Sequence, residues 1–166
     1  MTKDYDFEFR LWIDPSPMMN RLLFVMKKKA DNWMAAFYKD ISGKMEEVTV
    51  DQQHLDKLWE DLVRNKVLTL PHQEEIRNKM RVYYADTLYA MGFSFPLSEG
   101  PYYKPYILDG VFYRMELRTP DKERSYTYHC PKGYLKECPN VEELFRAYAI
   151  VCLVFRKIGW DPDNIC

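Results

Sequence analysis

The run from Val111 to Cys130 limits what this chain can fold into more than any other stretch. Val111, Tyr113, Met115 and Leu117 alternate with Phe112, Arg114, Glu116 and Arg118. After the turn "TPDKE", Tyr126, Tyr128 and Cys130 alternate with Ser125, Thr127 and His129. Successive side chains of a strand point to opposite faces, so a period of two marks a strand with one buried face. Two such runs joined by a polar turn form an antiparallel hairpin. Asp109-Gly110, just before it, reads as the turn that launches the hairpin, Gly110 supplying a backbone angle that other residues resist.

The same period recurs near the N-terminus, where Tyr5, Phe7, Phe9, Leu11 and Ile13 alternate with charged residues through Arg10, so residues 5–13 read as a strand. "RLLFVMKK" from Arg21 reads as a second strand. "NWMAAFYKD" from Asn32 carries alanines that suit a helix, but the Ser42-Gly43 turn and the following Met45–Val50 favour a hairpin. Asp51 then stands where an N-cap belongs, and Leu55, Leu58, Trp59, Leu62 and Val63 recur at helical spacing. Ile76, Met80, Tyr83, Tyr84, Leu88 and Met91 keep a helical period up to Gly92, which predicts a second helix over 72–92. Asn140 with Glu143 forms a capping box ahead of the stripe Leu144, Phe145, Tyr148, Ala149, Cys152, Phe155 and Ile158, the main core helix.

Short hairpins without strand–helix–strand alternation predict an α+β fold: a mostly antiparallel sheet with two to three helices on one face, a two-layer sandwich. With 166 residues, 47% of them hydrophobic, a single domain over 1–166 is expected.

Lys and Arg total 24 against 25 Asp and Glu, so no electrostatic footprint for nucleic acid is present. The N-terminal residues lack the apolar run of a signal peptide, and the longest apolar run, Ala147–Phe155, is too short for a membrane span. A cytoplasmic protein is expected, with no membrane partner. A reducing cytosol would keep Cys130, Cys138, Cys152 and Cys166 as thiols. Cys130 and Cys138, which flank a Pro-Lys-Gly loop, would pair only after export.

Catalytic chemistry finds little support. "HCPKGYLKEC", from His129 to Cys138, lacks the paired Cys and His spacings of a zinc site. His129 and Cys130 point to opposite faces of a strand, so the imidazole does not activate the thiol. His54 and His72 read as surface residues, and no phosphate loop or serine-centred nucleophile turn occurs. No enzyme activity, metal or cofactor is expected. A pocket with His129, Cys130 or Asp109 as polar members is the rival reading, and a structural subunit of an assembly is a third.

Aromatic residues are the compositional excess, at 16% of the chain. Between residues 93 and 109 no period survives, and Pro96, Gly100, Pro101 and Pro105 exclude a central strand or a helix. Tyr102, Tyr103 and Tyr106 lie in this loop among the prolines. They offer the large amphipathic contact area that protein-binding loops use, with Glu99 and Lys104 as rim charges. An ordinary lid over the core is the competing reading of the same tyrosines.

"DGVFYRMEL" from Asp109, "RSYTYHCP" from Arg124 and "PNVEELFRAYAIV" from Pro139 together resemble a loose group of small bacterial α+β proteins, some of which are immunity proteins that neutralise a toxin. "LDKLWEDLVRNKVLTLP" from Leu55 adds to the resemblance, which spans about half the chain. It implies a protein partner, a toxin or effector, bound by occlusion, and carries over no site residue.

Overall fold

A computed structural model describes residues 5–14, 21–41, 43–83, 102–108 and 110–161. Strands β1 (Phe7–Asp14), β2 (Leu22–Lys29), β3 (Asn32–Ile41), β4 (Lys44–Val48), β7 (Phe112–Arg118) and β8 (Glu123–His129) form one sheet in the order β4-β3-β2-β1-β7-β8. Every neighbouring pair is antiparallel. Two-residue strands β5 (Val82–Tyr83) and β6 (Tyr102–Tyr103) pair separately. With helices α1 (Leu55–Arg64), α2 (Pro131–Glu137) and α3 (Glu142–Lys157), the class is α+β.

The alternation read from the sequence sets the register. Phe9, Leu11 and Ile13 lie opposite Leu117, Met115 and Tyr113 across the β1–β7 join, and all six are buried. They form one cluster with Phe24 and Met26 of β2, Leu55, Leu58 and Leu62 of α1, and Leu144, Ala147, Ile150, Val154 and Phe155 of α3. Apolar burial at about 25 cal/mol per Å2 makes this cluster the main stabilising term. Residues of the opposite parity on β1 and β7 form an ion-pair grid. Glu8 meets Arg10 Nε at 2.7 Å and Lys27 Nζ at 3.1 Å, and Glu116 meets Arg118 at 2.9 Å and Arg114 at 3.2 Å.

Several expectations are corrected. The helix expected over 72–92 is a single 3-10 turn at Gln73–Ile76, followed by turns and the extended β5. Ile76 and Met80 are buried as expected, but the β-branched and aromatic Val82–Tyr83 pair with Tyr102–Tyr103 instead of continuing a helix. Residues 84–92 lie outside the described residues. Within the tyrosine loop, Tyr102–Tyr103 form an edge of the two-stranded sheet, neither the central strand nor the helix that the prolines exclude.

Asp51 does not cap α1. Its Oδ1 accepts the Gln53 amide at 2.9 Å in a local turn, and the helix begins after His54, whose φ of 55° is left-handed. The capping box at Asn140 does not form either. Val141 is the extended residue before α3, and Glu143 turns outward to pair with Lys79. In α3 Phe145 is exposed, and Ala147, Ile150, Val151 and Val154 join Leu144 and Phe155 in the buried stripe. The loop expected between Cys130 and Cys138 is α2. Pro131, whose fixed φ suits a first helical position, starts it.

The cysteines also differ from expectation. Cys130 is disulfide-bonded and Cys138 is a free thiol, so neither four thiols nor a Cys130–Cys138 bridge describes the chain.

Candidate functional site

Four segments converge at one end of β8. Cys130 continues β8 into α2, its backbone turned by a left-handed φ of 40° and its amide donating to the Val111 carbonyl at 2.9 Å. Gly133 in α2 lets the 102–108 segment approach. A Cβ there would stand 2.7 Å from Ile107 Cδ1 and 2.8 Å from Cys130 Sγ. Tyr134, buried, fastens the same segment, its hydroxyl accepting the Ile107 amide at 3.3 Å. Further along, Tyr103 donates to Glu137 Oε2 at 3.2 Å, Lys104 donates to Asn78 Oδ1 at 3.1 Å, and the Arg81 guanidinium lies 4.5 Å from the Tyr102 ring centre.

The 3-10 turn closes the fourth side. Its flanking residue His72 accepts the Thr127 amide at Nδ1 (3.2 Å), and Gln73 Oε1 accepts the His129 amide, so both side chains satisfy the free edge of β8. His72, expected to be a plain surface residue, is exposed but structural.

These segments enclose a cleft of about 480 Å3. His129 and Tyr134 line one side, His72, Gln73, Glu74 and Arg77 another, and Tyr106, Ile107, Leu108 and Phe112 the rest. His129 stacks on Phe112 and meets the Tyr134 ring edge-on, and burial pushes its pKa below the ordinary value, favouring the neutral imidazole. Burial raises the thiol pKa of nearby Cys138, with Glu137 adding to it. Among the described residues, no group of three His, Cys, Asp or Glu is placed to hold a metal.

At the mouth stand three apolar residues that water reaches: Tyr106, Leu108 and Phe112 are 69%, 83% and 49% exposed. Single exposed apolar residues are ordinary, whereas three bordering one cleft form a patch. Of the residues expected to bind a partner, Tyr106 lines the cleft. Tyr102, Tyr103 and Lys104 are exposed on the same segment, tied to the elements beside it. Glu99 and Asp109 lie outside the described residues. Of the rival pocket's polar members, His129 lines the cleft, while Cys130 is buried and disulfide-bonded.

No protein-family model, curated protein or solved structure matches the chain. Among the described residues, no helix is long and apolar enough to cross a membrane.

Leu108 and Phe112 escaped the sequence reading. A signal existed for Phe112, whose parity opposes that of Tyr113, Met115 and Leu117, so it had to leave the core face.

Proposed function

We propose that the chain is a protein-binding domain without enzymatic activity, of the immunity type, that neutralises a bacterial toxin by occluding it. It acts in the cytoplasm, with no nucleic acid, membrane or cofactor involved. The observation that carries the reading is the exposed patch of Tyr106, Leu108 and Phe112 around one cleft. Protein interfaces concentrate their energy in such apolar and aromatic anchors set in a polar rim. Glu74, Arg77 and Lys104 supply that rim, and Tyr102 and Tyr103 extend the surface. Because Tyr134, Glu137 and Asn78 tie the segment down, the surface is partly organised before the partner arrives, which lowers the entropy lost on binding.

Co-expression tests this. The product of the neighbouring reading frame should arrest growth alone and be tolerated beside the wild-type chain, and Tyr106→Ala with Leu108→Glu should remove that protection while leaving the fold intact. Protection that survives the double change would contradict the reading.

A small-molecule site is the second reading, favoured by a cleft volume within the usual range of about 300–1,000 Å3. Against it, its polar members are largely committed. His72 and Gln73 hold β8, and the Tyr134 hydroxyl holds Ile107.

A further inference from the structure

The two edges of the six-stranded sheet differ. Along β8, the side chains of His72 and Gln73 take the outward amides of Thr127 and His129, and Arg124 donates to the carbonyls of Leu68 and Leu70. At the other edge, β4 is exposed along its whole length, Met45 44% so, and among the described residues no strand pairs beyond it.

The backbone groups that β4 turns outward follow from its partner. Ala35 of β3 donates its amide to Gln52 Oε1 at 2.9 Å and accepts Gln52 Nε2 at its carbonyl at 2.8 Å, so the side-chain amide completes the ladder beyond the end of β4. Ala35 therefore aims its backbone toward the β4 side, as do Phe37, Lys39 and Ile41 at every second position. Their partners Val48, Glu46 and Lys44 face inward. Met45 and Glu47 face outward. An added antiparallel strand has to bond to those two residues.

A second copy fits this edge in one symmetric register. With the two-fold axis at Met45, Met45 bonds to its own counterpart and Lys44 lies opposite Glu46 of the second copy. That pair is non-hydrogen-bonded, the kind in which facing side chains are closest. It occurs twice by symmetry. Axes at Lys44, Glu46 or Glu47 would set like charges face to face. Edge charges commonly guard against pairing, but here their order + 0 − − along Lys44-Met45-Glu46-Glu47 excludes the alternatives and leaves one register attractive.

We propose that the chain self-associates through β4 about a two-fold axis at Met45, joining two sheets into one. This goes beyond the partner-binding reading and uses the opposite edge of the sheet.

Sedimentation equilibrium of the full chain over a wide concentration range tests it, with circular dichroism of each variant confirming the fold. The wild type should show a monomer–dimer equilibrium. Lys44→Glu places glutamates face to face twice and should weaken association about tenfold or more. Lys44→Glu combined with Glu46→Lys restores opposite charges and should return association to within a few-fold of wild type. Met45→Pro removes an outward amide that the folded monomer does not use, a change edge strands tolerate, and should abolish the dimer. A wild type monomeric at every concentration, or a dimer indifferent to these changes, would overturn the proposal.

Discussion

His129 stacks on Phe112 across the last pair of the β7–β8 ladder, the ring centres 4.4 Å apart and the planes inclined by 30°. Both rings line the cleft and that of Phe112 is half exposed, so the end of the β7–β8 ladder presents a stacked aromatic pair at the mouth of the cleft. Any partner that seats there meets a neutral imidazole backed by Tyr134.

This arrangement makes the site sensitive to acid. Burial lowers the His129 pKa, so below the ordinary value of 6.5 the unfolded chain binds the proton more readily than the folded one. The folded state therefore loses stability as pH falls from 6.5 to the depressed folded value, and the loss levels off below that. Chemical denaturation at several pH values should show this slope, flattened in His129→Gln. An unchanged slope in the variant would remove His129 from the account.

Gly133→Ala sets two effects of opposite sign against each other. Alanine in a helix gains about 1 kcal/mol over glycine, but the added Cβ would stand 2.7 Å from Ile107 Cδ1 and 2.8 Å from the sulfur of Cys130. The Ile107 tip can rotate away, whereas the bridged sulfur cannot follow freely. We expect a net loss of about 1–2 kcal/mol, measured by urea denaturation, together with faster proteolysis within 102–108. A stabilised variant would show that the approach is looser than stated.

Glu8 is fully buried, between Arg10 and Lys27. Glu8→Ala leaves those two cations beside each other without their shared carboxylate. Both still reach water, so the expected loss is about 2 kcal/mol, less than for a pair sealed from solvent. A urea midpoint unchanged from wild type would mean that the grid contributes nothing.

The elements with a local periodic signal were legible in the sequence. The Val111–Cys130 alternation, the strand through Phe9–Ile13 and the α1 stripe through Leu55, Leu58 and Leu62 each lie where their period put them. What the sequence hid depends on contacts between distant residues. The 3-10 turn at Gln73 replaces a helix because Val82–Tyr83 finds a strand partner at Tyr102–Tyr103, and Glu143 leaves its capping role for Lys79. The cleft is hidden for the same reason. It exists only where residues 72–77, 102–108, the end of β8 and Tyr134 meet, and each taken alone reads as an unremarkable turn, loop, strand end or helix.

The Cys130 disulfide yields a prediction about compartment. Disulfides persist in oxidising surroundings and are rare in the cytosol. With Cys130 bridged, the oxidised chain denatured without reductant should expose fewer than four reactive thiols. Thiol titration of protein trapped directly from its host decides whether that form is the working one. Four thiols would support the cytoplasmic placement and show the bridge open there.

The central claim is that Tyr106, Leu108 and Phe112 form the anchor of a protein-binding surface, and its most direct test is the affinity of the neighbouring-gene product for wild-type and Tyr106→Ala/Leu108→Glu chains, both verified as folded. Loss of two anchoring side chains predicts an affinity lower by about a hundredfold or more. Equal affinity for the two chains would contradict the claim.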